Sequence, residues 1–166
     1  TYNIICIQII GIQIMADTSL SEKKIGVLVW QLSNHWQSKL RNILRKENLT
    51  LNEYLVLEGI NYLKQNKDTL AQIDIALYAG IDISVVSVTL KLLEKKKLIT
   101  RQIKEDNRKK IIEMLADGKN LYNKLYPLIL EEEMKIFSKL RNETINFTNL
   151  LKLLLGKRLR IKADIL

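Results

Sequence analysis

Cysteine, histidine and proline each occur once, as Cys6, His35 and Pro127. One cysteine excludes a disulfide framework, a zinc ribbon and a CxxC redox pair, and fits a reducing, cytoplasmic setting. One histidine and one cysteine cannot build a usual nucleophilic triad or a metal cluster. The six glycines form no phosphate-cradling loop. The longest run of carboxylates, Glu131 to Glu133, reads as a solvated helix face. No enzyme activity and no cofactor are expected. Long apolar runs are missing too. The first fourteen residues, "TYNIICIQIIGIQI", are isoleucine-rich but too short for a membrane helix, and they lack the flanks of a signal peptide. Residues 1–14 are expected to be an upstream extension, with Met15 opening the functional chain; a real edge or partner-binding strand is the alternative. Acidic residues are in short supply, 18 against 27 Lys and Arg, which leaves a net charge of +9. Such a surplus favours a polyanionic partner, with nucleic acid ahead of an anionic membrane surface.

What is present is mostly helical periodicity. Residues 20–47 carry Ile25, Leu28, Leu32, Trp36, Leu40 and Ile43 at spacings of three and four. That predicts one helix roughly 40 Å long at 1.5 Å per residue, longer than a small domain needs. "TLNE", Thr50 to Glu53, is a capping box and should open a second helix. A short helix is expected from Thr69 to about "AGID", where Gly80 suits the left-handed position and Asp82 the next N-cap. Two helices joined by a glycine turn outline a helix-turn-helix. The second, residues 83–96, has Val86, Leu90 and Leu93 on one face. Ser84, Ser87, Val88, Lys91 and Lys95 lie opposite: short groups at the start, cations at the end. Leu98, Ile99 and Ile103, then Ile111, Ile112 and Met114, flank a polar tip and predict a β-hairpin. From Lys91 to Lys110 nine Lys or Arg face three Asp or Glu, so these twenty residues hold a surplus of six positive charges, most of the chain's total. Two further helices should follow, the first kinked or broken at Pro127.

In this order the elements resemble the multiple-antibiotic-resistance regulator (MarR) family of winged helix-turn-helix proteins. "GIDISVVSVTLKLLEKKKLITR" is similar to the family's recognition helix and first wing strand. "EDNRKKIIEMLADGKNL" resembles the wing, with Asp106 and Arg108 supplying its Asp-x-Arg and Leu115 and Gly118 its Leu-Thr-x-x-Gly. The resemblance implies a mainly α fold with a small β-wing. A winged lobe over 48–116 would sit between dimerisation helices at 20–47 and 117–160. It implies an obligate homodimer acting as a sequence-specific regulator of transcription, a repressor by expectation, with double-stranded DNA as partner and no membrane. The recognition helix, 83–96, would enter the major groove and the wing, 101–112, the minor groove. There are departures. Lys97 stands where the family usually has glycine, Val88 where many members place arginine, and Ala116 replaces threonine.

The expected DNA contacts are Ser84, Ser87, Val88, Thr89, Lys91 and Lys95 on the helix, with Arg101, Lys104, Arg108, Lys109 and Lys110 in the wing. Arg108 is the foremost, because a wing-tip arginine can enter narrow A·T-rich minor grooves. Asp106 would orient it. Each has a plainer alternative, a solvated charge or a serine bonding its own backbone, and Arg101 could equally pack over the wing. The family also implies a crevice for a small aromatic anion, which His35, Trp36, Tyr54 and Tyr62 are candidates to line; otherwise the aromatics are core and His35 is a surface group. Two other functions stay open. One is a helical adaptor that binds protein through the winged fold, suggested by Val85 and Val88. The other is membrane-surface association through the basic, apolar tail "LLKLLLGKRLRIK".

Overall fold

The computed structural model describes residues 23–67, 69–103 and 110–156. The chain divides into two units, Thr1–His35 and Trp36–Leu166. The described part of the first unit is the opening of helix α1, Ile25–Leu44, where Ile25, Val29 and Trp30 are exposed. The helix expected over 20–47 therefore starts at Ile25 and closes in a 3-10 turn, Arg45–Glu47, which ends on Asn48 in the left-handed conformation.

The second unit holds the core. Helix α2, Leu51–Lys64, opens on the predicted capping box. The Glu53 backbone N–H donates to the Thr50 hydroxyl (3.2 Å), and the Thr50 N–H donates to Glu53 Oε2 (2.8 Å). Helix α3, Gln72–Ala79, begins three residues later than Thr69. The Asp74 carboxylate accepts from the Ala71 N–H (3.0 Å) and fixes that start. Gly80 ends α3 at φ 64°, as its position after the helix predicts, and Asp82 caps helix α4, Ile83–Lys95. The two helices are bent by 109°, within the about 90–120° of a helix-turn-helix. No single helix among the described residues is long and apolar enough to cross a membrane.

Strands β1, Ile99–Ile103, and β2, Lys110–Met114, pair antiparallel, Ile99 opposite Met114 and Arg101 opposite Ile112. Before β1, Lys97 adopts φ 58°, the conformation for which glycine is usual; a β-carbon there costs roughly 1 kcal/mol. Helix α5, Ala116–Phe137, runs through Pro127 without a break. The expected interruption falls instead at a 3-10 segment, Ser138–Glu143, where Arg141 has φ 48° and ψ −122°. A helix N-terminal to a proline loses one hydrogen bond, and packing of Leu125 and Ile129 into the core on either side offsets that loss. Helix α6, Thr144–Leu154, closes the described chain.

Leu40 and Leu44, Leu57 and Ile60, Ile75, Leu90 and Leu93, Ile99 and Ile112, and Leu125 and Ile129 form one buried cluster that draws on every element from α1 to α5. Gly118 sits against it. A β-carbon there would collide with the Leu98 carbonyl, the same oxygen that accepts from the Leu115 N–H at 3.0 Å. The start of α5 can therefore reach the base of the wing only through a glycine.

Candidate nucleic-acid interface

α4 owes its position to its two ends and its inner face. At the start, Asp82 accepts from the Ser84 N–H (2.8 Å) and from the Ser84 hydroxyl (2.5 Å). These bonds, the hydroxyl's first, hold the Asp82 carboxyl below the usual carboxylate range. The inner face is Val86, Leu90 and Leu93, all fully buried. At the end, Lys96 Nζ lies 2.6 Å from Glu53 Oε1 and donates to the Asn48 carbonyl at 2.7 Å. Glu53 is buried, so its charge is held by this lysine and by the Thr50 N–H. One carboxylate thus fastens the α2 cap to the C-terminus of α4.

The outer face carries most of the expected groups. Ser84, Val88, Lys91 and Lys95 are exposed, and Ser87 is half-buried. The Ser84 proton is committed to Asp82, which leaves its oxygen as an acceptor. Thr89 is a correction. It is buried, and its hydroxyl donates to the Val85 carbonyl (2.8 Å), so it offers nothing outward. A Thr bonding back one turn in this way is common in helices, and its position between the two faces left it ambiguous in the sequence. Arg101 lies on the inward face of the hairpin with Ile99 and Ile112 and is paired with Glu94 of α4, its Nε donating at 3.0 Å. It braces wing against helix, the packing role that the sequence had left open. Lys104, Asp106, Arg108 and Lys109 lie outside the described residues, and of Lys110 only the strand backbone is described.

The four crevice candidates divide between surface and core. His35 is exposed on α1. The Trp36 indole N–H donates to Glu133 Oε1 (2.9 Å). Tyr54 is buried and stacks on Tyr122, ring centres 6.1 Å apart. Tyr62 borders a cleft, and its companions there were not anticipated: Glu58, Asn61, Gln65, Tyr78, Tyr122, Asn123 and Tyr126. Tyr62 stacks on Tyr78 (5.0 Å) and Tyr122 on Tyr126 (5.7 Å). The spacing of Glu58, Asn61, Tyr62 and Gln65 on α2 gave a signal for a polar stripe, but nothing in it pointed to α5.

Comparison with known proteins agrees with this geometry. Residues 49–111 match the model of the MarR family. The HTH-type transcriptional regulator YdcH of Bacillus subtilis (strain 168) is 26% identical over 114 residues, 68% of this chain and 78% of YdcH. Among solved structures, Staphylococcus aureus MepR in complex with DNA superposes with a TM-score of 0.70 at 27% identity, over 80% of this chain and 96% of that one. Bordetella bronchiseptica BpsR, whose DNA binding is regulated by 6-hydroxynicotinic acid, shares the fold at a TM-score of 0.72 and 18% identity, over 84% of this chain and 97% of that one. The capped α3–α4 pair, the two-stranded wing behind it and these likenesses agree: residues 49–111 match the MarR family of transcription regulators, and the fold is that of a winged helix-turn-helix protein.

Proposed function

We propose that the chain acts as a homodimer that represses transcription by occupying a pseudo-palindromic promoter site. The observation that carries this is the outer face of α4, which exposes Ser84, Val88, Lys91 and Lys95 beside the wing while its inner face is locked in the core. In this reading the helix start approaches base edges, Lys91 and Lys95 meet phosphates, and Val88 supplies apolar contact to a thymine methyl group. Lys104, Arg108, Lys109 and Lys110 hold the backbone beside it, with Arg108, oriented by Asp106, in the minor groove. The dimer forms through α1, α5 and α6 (residues 20–47 and 117–160). Support comes from the exposed Ile25, Val29 and Trp30 of α1, Leu128 and Met134 of α5, and Ile145, Leu153 and Leu154 of α6. The setting is the cytoplasm.

The test is a binding titration with DNA flanking the protein's own coding region, repeated across salt concentrations. About six phosphate contacts give a log–log slope of about −5; a flat response contradicts the reading. Exposed Val85, Val88 and Leu92 on the same face of α4 favour a second one, a helical adaptor that binds protein. A stable partner captured by a chain that retains no DNA would select it.

A further inference from the structure

The exposed face of α4 is divided lengthwise. At 100° per residue, Val85, Val88 and Leu92 fall within about 60° of one another, and Ser84, Lys91 and Lys95 within about 40° beside them. All six are exposed, so an alkyl stripe abuts a polar, cationic one. The two lysines complement the charge of a phosphate backbone, which favours nucleic acid over an apolar partner as the occupant of this face.

Direct reading of base edges needs particular side chains: Arg or Lys for guanine, Asn or Gln for adenine, a free carboxylate for the cytosine amino group. Residues 83–95 contain no arginine, asparagine or glutamine. Their one carboxylate, Glu94, is paired with Arg101. The Ser84 proton is committed to Asp82, so its oxygen only accepts, which suits the amino groups of adenine and cytosine alike. The Thr89 proton is committed to the Val85 carbonyl. A Ser87 hydroxyl can donate or accept and so does not discriminate. Lys91 and Lys95 belong to the later turns. The early turns of α4 are left with alkyl surface, and the feature of a base pair that such surface distinguishes in the major groove is a methyl group on pyrimidine C5. We propose that Val88, with Val85 and Leu92 before and after it, forms a slot for one pyrimidine 5-methyl group, and that the slot takes 5-methylcytosine as readily as thymine. Cytosine methylation within a site then tightens binding, so the chain responds to a chemical mark on the DNA as well as to its sequence. The proposal rests on α4 entering the major groove, the reading given above.

The test uses duplexes identical except at one base pair. In a duplex selected by the full chain from a random pool, the thymine whose exchange for uracil costs most is located. That pair is then made T·A, U·A, 5-methylcytosine·G or C·G, and each duplex is titrated by fluorescence anisotropy at several salt concentrations. The methyl group should tighten binding about fivefold in both settings, T·A over U·A and 5-methylcytosine·G over C·G. Val88→Ala should bring both ratios to unity and leave the salt slope unchanged; Val88 is exposed, so the truncation spares the core. A methyl effect confined to T·A would overturn the proposal, because the group at C4 would then be read as well. So would ratios that survive Val88→Ala, the signature of a methyl group acting through DNA shape. Steep salt dependence with no methyl effect would remove the slot and leave the DNA-binding reading standing, whereas a flat salt response would remove both.

Discussion

Helices α4 and α6 are of similar length, 13 and 11 residues, and both are amphipathic. In α4 the apolar stripe of Val86, Leu90 and Leu93 is entirely buried. In α6 no residue is buried, and Leu154 keeps 77% of its surface exposed. The same sequence signal therefore has two outcomes. The α4 stripe is matched by α2, α3 and β1 of its own chain, whereas that of α6 meets nothing comparable among the described residues. Burial is worth roughly 25 cal/mol per Å² of apolar surface, so a bare stripe of this size is a driving force still unspent. The contrast separates a lobe that closes on itself from a helix whose apolar face waits for a second molecule, which the proposed dimer supplies.

The contrast can be broken most sharply in the lobe. Leu90→Ala should cost about 3 kcal/mol, read as a lower urea midpoint at every protein concentration. An effect that shrinks on dilution would mean that the lobe, too, depends on a partner. Lys96→Met comes next. It strands the buried Glu53 charge and should cost about 2 kcal/mol, less than a fully buried pair because Lys96 is partly exposed. Adding Glu53→Gln should restore part of the loss. The double change Ile145→Ser and Leu154→Ser should weaken self-association at least tenfold in sedimentation velocity while leaving lobe folding within about 0.5 kcal/mol. An unchanged dimer would remove α6 from the interface. The smallest effect tests the outer face of α4. In a duplex selected by the protein from a random pool, replacing thymine by uracil should cost the unmodified chain about 1 kcal/mol, and Val88→Ala should abolish the difference.

The elements that were legible in the sequence are those fixed by local chemistry. The Thr50–Glu53 box, the left-handed Gly80 and the Asp82 cap each act within a few residues, so spacing alone specifies them. The two strands of the hairpin followed from apolar residues on both sides of a polar tip; their register did not. What the sequence hid depends on residues far apart in the chain. The Arg101–Glu94 pair, the Lys96–Glu53 pair and the tyrosine cleft need the folded lobe to bring their partners together. Pro127 does not break α5: the local penalty is real, but the core contacts of Leu125 and Ile129 offset it. Of the crevice candidates, Tyr54 is core and His35 is a surface group, the plainer alternative that aromatic type alone had left open. The cleft is organised by α5, whose Tyr122 and Tyr126 share a face with Leu125 and Ile129 and looked like more core.

The seat of Gly118 on the Leu98 carbonyl has a mechanical result. With no side chain between them, and with Leu115 hydrogen-bonded to the same oxygen, the junction has no soft spacer to absorb movement. A rotation of α5 cannot be taken up at that joint and must swing the base of the hairpin with it. Helix and wing thus share one oxygen as their joint, and turning either alone would break the Leu115–Leu98 bond.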